Sequence, residues 1–453
     1  MHCFKRFIKI SLILMLTVGV MFSCCSCGVQ SSASTIATTV ANTLLFHDES
    51  VIIGDYSYSA DSNDVLLAKA LSTKDVYVNY DVVKAYSQYL DSTYSAAVIT
   101  RAEWLTQLFR ELDFEIISDM SSEYTHVSDL YYSDYSDYFI TAIENIIIGP
   151  NSTMFDPYCA VTRQYVSTSL VNAVGYPRTY KLSCRDYKKI EDKSQAAAAV
   201  HLGYFELDEN NCFDPYGLVT DEQVEYIVSE LEKLSVLKGK TVMTFGDSIM
   251  HGDGNNFVGI ADMLSQRYLM TAVDYSYGGS AFGKIDNREQ ICTQISRAIN
   301  KNETADIILL NGGTNDMRKI AAGEISDDFN YEDYGTSDFA SGMEYAVGLI
   351  KDNYPQVPLL YIRAHNMECS LERNELHFGK LALDICEKWE VEVADVFNDT
   401  DFNSHDEDMK CNYTVHTKSC RNGDSIHPNQ LGYYKFYLPL VSENAIRLIS
   451  SNQ

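Results

Sequence analysis

The sequence predicts two unlike parts: a mainly α-helical region built from repeats, followed by an α/β domain whose parallel sheet is covered on both faces. Three observations lead there. A turn-to-helix signal recurs three times between residues 70 and 235. After "EKLSVLKGK" that texture stops, and apolar runs of strand length alternate with stretches of helix length. Strands buried on both faces read as such continuous apolar runs, so the sheet is expected to be parallel. The chain length of 453 residues also exceeds what one ordinary core organises, and about two or three domains are expected.

The chain opens with "MHCFKRFIKISLILMLTVGVMFSCCSCG", in which Lys5, Arg6 and Lys9 precede an apolar run from Ile10 to Phe22. This is the pattern of an export signal; the run is shorter than the roughly 20 residues of a membrane span. A cysteine just after such a run resembles a lipoprotein signal, in which a diacylglyceryl thioether anchors the mature chain. Residues 1–27 are therefore expected to be a lipoprotein-type signal peptide with Cys24 lipidated, Cys25 and Cys27 being the alternatives. The expected location is the bacterial cell surface, tethered to the membrane. Residues 28–69 hold a tether rich in Ser, Thr and Ala followed by a segment of uncertain kind.

The repeats are anchored by "AVITRAEWLTQLFREL" (97–112), "AVTRQYVSTSLVNAV" (160–174) and "LVTDEQVEYIVSELEKL" (218–234). Thr100, Thr162 and Thr220 each precede an amphipathic run, which predicts helices N-capped by the threonine hydroxyl. The second and third copies share an "FDP" turn at Phe155 and Phe213, and the first copy lacks it. The pattern is similar to S-layer homology repeats, with copies at about 70–113, 125–178 and 183–235. That resemblance implies a prism of helix pairs holding an anionic cell-wall polysaccharide, with Arg101 and Arg163 contacting the glycan. The third copy has Asp221 where arginine is expected. The residues alone leave open a second reading, in which Arg101 and Arg163 simply occupy exposed first turns of helices.

Lys and Arg number 35 against 63 Asp and Glu, a formal charge of −28. Such a field repels phosphate backbones, so nucleic acid is not an expected partner. The 32 tyrosines against 19 phenylalanines supply half-polar aromatic surface that suits sugar-like ligands. Beyond the leader, the cysteines show no CxxC pairing, so no zinc site is expected. Cys411 and Cys420 flank a polar loop and read either as a disulfide or as unpaired thiols.

In the second part the apolar runs are 241–245, 305–310, 358–363 and 391–397, with helices near 255–269, 287–301, 339–353, 370–389 and 431–449. Parallel sheets bind ligands at the carboxyl ends of their strands. Those ends carry Gly246-Asp247-Ser248, then Gly278 and Gly279 in "VDYSYGGSAFG", then Gly313, Asn315 and Asp316 in "LLNGGTNDMR". Near the C-terminus Asp424 stands three residues before His427. Each motif alone is more often a turn or a cap; four in this order are not. Ester hydrolysis needs these residue types. A serine hydroxyl requires a base, and His427 is the candidate with a carboxylate at fixed short separation. An oxyanion requires donors, which the N–H of Ser248, that of Gly279 and the Asn315 amide can supply.

At these residues the chain closely resembles the SGNH (GDSL-type) hydrolases. Their four blocks are matched by Gly246-Asp247-Ser248, by Gly279, by Gly313-Thr314-Asn315-Asp316, and by Asp424 to His427, over roughly 238–453. Asp274 stands where the second block usually begins with Asn, which leaves the oxyanion glycine as 278 or 279. The resemblance implies a flavodoxin-like three-layer α/β/α sandwich, catalytic Ser248, Asp424 and His427, an oxyanion hole of Ser248, Gly279 and Asn315, and no cofactor or metal. The expected function is an exported serine esterase acting on acylated carbohydrate, O-acetyl groups above all. A lipase-type acyl hydrolase and a non-catalytic wall-glycan binder are the alternatives.

Overall fold

The computed structural model describes residues 99–118, 127, 135–149, 155–157, 159–368 and 372–451. The leader with Cys24, the tether and the opening of the first repeat lie outside them. The chain divides into two compact units, Met1–Leu231 and Glu232–Gln453.

The first unit contains α1 (Arg101–Glu111), α2 (Ser136–Glu144), α3 (Arg163–Val174) and α4 (Lys193–His201), and α5 (Asp221–Leu237) begins in it. The three threonines cap their helices: Thr100 Oγ accepts from Glu103 N, Thr162 Oγ from Tyr165 N and Thr220 Oγ from Gln223 N, each at 3.3 Å. These bonds satisfy N–H groups that a helix start leaves without partners.

The sequence period is also a period of backbone pairing. Thr100 bridges Ala160 and Thr162 bridges Leu218, both antiparallel. Arg101 N and Ala102 N donate to Cys159 O and Pro157 O, while Arg163 N and Gln164 N donate to Gly217 O and Pro215 O. The arginines follow the same rule. Arg101 Nη1 donates to Phe155 O at 3.1 Å, and Arg163 Nε donates to Phe213 O at 2.7 Å. Each arginine thus holds the FDP turn of the next copy. This accounts for one irregularity of the pattern: Asp221 has no further FDP turn to hold.

The second unit is built on five parallel strands, β1 (Thr241–Phe245), β2 (Thr271–Asp274), β3 (Ile307–Asn311), β4 (Leu359–Arg363) and β5 (Glu392–Asp395), in the order β2-β1-β3-β4-β5. This is the flavodoxin-like order, whose switch point lies between β1 and β3. Around the sheet, α7 (Ile260–Tyr268) packs with α11 (Leu438–Ser451), while α9 (Phe339–Asn353) packs with both α8 (Ile291–Asn300) and α10 (Glu372–Lys388). Short helix α6 (Ser248–His251) follows β1 directly.

β3 and β4 are buried at every residue, which is why they read as apolar runs. β2, at one edge of the sheet, is absent from the four runs because Thr271 and Asp274 are exposed and only Ala272 and Val273 lie between them. The run at 391–397 ends early: the chain leaves the sheet at Asp395, whose carboxylate caps a helical turn, Val396–Asp399. Cys411 and Cys420 are separate free thiols.

Candidate active site

The site forms where β1 and β3 diverge. β1 drives its buried residues up to Gly246, and Gly246 has to be glycine: a Cβ there would lie 2.9 Å from Asn311 O and 2.8 Å from Met250 Cβ. The chain then turns into α6, and the capping residue is Asp247, whose Oδ1 accepts from Ile249 N at 3.0 Å. Ser248 is therefore the first helical residue and not the cap. Its N–H belongs to the set that a helix start leaves without an intrahelical acceptor. Tyr433, in a π-helical segment Tyr433–Tyr437, fixes α6 by donating to Ile249 O at 2.6 Å.

Ser248 Oγ lies 2.9 Å from His427 Nε2, and His427 Nδ1 lies 2.5 Å from Asp424 Oδ2. The spacing of three residues works because Asp424 closes a turn on itself, its Oδ1 accepting from Ile426 N and His427 N. That leaves Oδ2 for the imidazole. Ser404 Oγ holds the same turn by donating to Ser425 O at 2.9 Å, and the buried His365 approaches that carbonyl at 3.4 Å. A hydroxyl placed this way can pass its proton to the neutral ring, and the carboxylate stabilises the cation that results.

Electrostatics fits that task. Burial alone would lower the His427 pKa, but the hydrogen bond and charge of Asp424, with the charges of Asp247 and Asp253, raise it above its ordinary 6.5. Asp424 is raised by burial but held below the usual carboxylate range on balance by its bonds to His427 and Ile426. Burial pushes Asp247 up to about 6 and Asp316 up to about 7.

Gly279 and Asn315 come together across the cleft. Gly279 has φ +83°, a left-handed backbone that favours glycine. Asn315 Nδ2 donates to Ser280 O at 2.9 Å. This uses one of the two N–H groups of the amide and leaves the other for a ligand. Asp274 shapes the approach to this loop by accepting from Thr244 Oγ, Ser276 N and Ser276 Oγ, which gives the unusual aspartate of the second block a task. Asp316, buried, accepts from Phe282 N and Gly283 N and so ties the β3 turn to the loop of Gly279.

Two supporting residues escaped the sequence reading. Arg288 Nη1 donates both to Gly279 O at 2.8 Å and to Asn315 Oδ1 at 2.6 Å, clasping the two loops. Gln294, fully buried on α8, accepts from Gly246 N and donates to Gly246 O and Ser280 Oγ, each at 2.9 Å. A glutamine on the apolar side of a helix was the one signal available for it. Arg101 and Arg163 stand in the first unit, where both donate to backbone carbonyls; Arg163 also donates to Glu206 O at 2.6 Å and lies over the Phe205 and Phe213 rings.

Residues 244–435 match the GDSL-like Lipase/Acylhydrolase family. No curated protein matches the chain. Among solved structures, a protein from Lactobacillus plantarum is 19% identical and aligns over 47% of this chain and 98% of its own, with a TM-score of 0.38. An acetyl xylan esterase is 13% identical over 45% of this chain and 98% of its own, with a TM-score of 0.31. The inhibitor-bound aryl esterase of M. smegmatis is 13% identical over 46% of this chain and 100% of its own, with a TM-score of 0.33. With the family match spanning the strand-end motifs from β1 to beyond His427, the C-terminal half of this chain is a carboxylic ester hydrolase domain of the GDSL-like lipase/acylhydrolase family.

Proposed function

We propose that this protein is an exported serine esterase, tethered at the bacterial cell surface through Cys24, that removes acyl groups from carbohydrate, O-acetyl above all. One observation carries the catalytic part: the continuous chain Ser248 Oγ, His427 Nε2, His427 Nδ1, Asp424 Oδ2 at 2.9 and 2.5 Å. Ser248 Oγ attacks the ester carbonyl as its proton moves to His427 Nε2, and the carbonyl π pair goes to oxygen. The oxyanion is met by the N–H groups of Ser248 and Gly279 and by the free N–H of Asn315. Collapse of the intermediate breaks the C–O bond, and the sugar alkoxide leaves with the proton from His427. Water, deprotonated by the same imidazole, then releases the acid from the acyl-enzyme.

The carbohydrate preference is supported by the export-type leader, the repeat region and the Tyr-rich acidic composition. Binding of wall polysaccharide by the repeats belongs to the same proposal. Arg101 and Arg163 already serve as links between copies, so a glycan would have to meet donors that those links leave available.

The test is hydrolysis of p-nitrophenyl acetate, acetylated xylan and a long-chain p-nitrophenyl ester by the full chain and by Ser248→Ala. Loss of kcat by about 10⁴-fold or more on the acetyl esters is expected. Unchanged activity in Ser248→Ala would remove the nucleophile, and a preference for the long-chain ester would remove the carbohydrate reading.

A further inference from the structure

Beside the Ser248–His427 pair lies a group of rings that the proposed chemistry does not use. Phe257 is 67% and Tyr277 58% exposed, whereas most large apolar side chains of the described residues are covered. Both rings lie against His251, at centroid separations of 5.4 and 6.3 Å. A contiguous aromatic surface left in water marks a ligand surface more often than a packing accident.

The structure fixes this surface to the site. His251 ends α6 one turn beyond Ser248, and residues three apart on a helix share a face. Its Nδ1 lies 2.6 Å from Asp253 Oδ1. Asp253 Oδ2 in turn borders Gly278 so closely that a Cβ on the glycine would collide with it. Gly254 lies against His427, where an added Cβ would come 2.7 Å from His427 Cβ. Tyr277 N donates to Gly246 O at 3.1 Å, and Gly278 and Gly279 follow it directly. Phe257 has φ +62°, a backbone that bulky side chains rarely adopt. The fold therefore holds the Phe257 backbone in a conformation that its side chain disfavours, with the ring exposed.

We propose that His251, Phe257, Tyr277 and Asp253 form a sugar subsite, on which the C–H face of a pyranose ring stacks while the Asp253 carboxylate accepts from its hydroxyls; this rests on the esterase reading of Ser248. The chemistry favours that ligand over others. A pyranose offers an apolar face edged by hydroxyls, which matches exposed rings edged by a carboxylate. An acyl chain needs a concave apolar pocket instead. An anionic ligand would meet a chain of formal charge −28.

The experiment is calorimetric binding of β-1,4-linked xylo-, gluco- and N-acetylglucosamine hexasaccharides to the full chain. The comparison is with a Phe257→Ala/Tyr277→Ala chain and a Phe257→Leu/Tyr277→Leu chain. At least one hexasaccharide is expected to bind, with Kd about 10-fold weaker in both double variants, since each lost ring contact accounts for a few-fold. The leucine pair keeps apolar bulk, so equal loss in it separates the flat ring face from simple coverage, and an unchanged urea-unfolding midpoint in both pairs separates it from misfolding. The proposal is overturned if no hexasaccharide binds, if the leucine pair binds as the native chain does, or if the variants lose p-nitrophenyl decanoate binding while keeping the sugar. None of these readouts needs turnover, so they fail separately from the Ser248→Ala test of the esterase reading.

Discussion

Arg163 in the first unit and Arg288 in the second each clasp two stretches of chain through a guanidinium, to different ends. Arg163 binds main-chain carbonyls, at Phe213 and Glu206, and sits between two phenylalanine rings. Its counterpart Arg101 does the same to Phe155 one copy earlier. Arg288 instead joins Gly279 O to Asn315 Oδ1, two groups of the candidate oxyanion site. The difference teaches where information resides. A link that recurs at each copy is a stability device, and its neighbours in sequence repeat with it. A link made once, between loops of a sheet, serves one geometry and leaves no local mark.

The comparison can be broken by asking which variants change turnover and which change folding. The largest effect belongs to Asp424→Asn. His427 acts as a base only when neutral, and Asp424 raises its pKa above 6.5. The native chain should therefore lose kcat/KM as pH falls through a value above 6.5, with neutral ring and activity both retained on the alkaline side. Without the carboxylate the largest raising influence is gone and only the charges of Asp247 and Asp253 remain, so in Asp424→Asn that limb should move to lower pH while kcat falls by about 10⁴-fold through the wrong tautomer. A pH–rate profile of both chains decides it, and an unmoved limb would remove Asp424 from its role.

Next in size is Asn315→Ala, which removes one of the three candidate oxyanion donors. A fall in kcat of about 10²–10³-fold with little change in KM is expected on p-nitrophenyl acetate. A loss confined to KM would mean that the amide binds substrate and not the developing charge.

The smallest effect sharpens the contrast from the other side. Arg163→Ala leaves Phe213 O and Glu206 O without their charged donor, and the first unit should lose about 2 kcal/mol of stability. The measurement is urea unfolding followed at Trp104, a buried residue of that unit. An unchanged midpoint would show that the links between copies are incidental.

Much of this was readable because it depends on short stretches. The helix caps at Thr100, Thr162 and Thr220 are set by a hydroxyl and an N–H three residues on, so the sequence carries them whole. β3 and β4 are buried on both faces and have to be apolar throughout. Edge strand β2 is not, since one side meets water, and its run is correspondingly weak. Ser248, Gly279, Asn315, Asp424 and His427 are legible as candidates because each stands in a turn after a strand or before a helix, where chemistry is offered. The helical stretch near 255–269 begins later than its pattern suggests, at Ile260, because Gly252, Asn256 and Phe257 take left-handed backbone and form the loop beside His427.

The sequence by itself thus determined the parallel α/β class, the repeat period, and which side chains are chemically able to act. Local spacing and burial pattern suffice for those, since they concern neighbours along the chain. Only the tertiary structure decided that Asp247 and not Ser248 caps α6, that Arg288 and Gln294 bind the loops of the site together, and that His251, Phe257 and Tyr277 share one exposed surface. Partners at the site stand far apart along the chain, 179 residues for Ser248 and His427 and 184 for Ile249 and Tyr433. The strand order brings them within about 3 Å through crossovers whose lengths carry no trace of which side chains will meet.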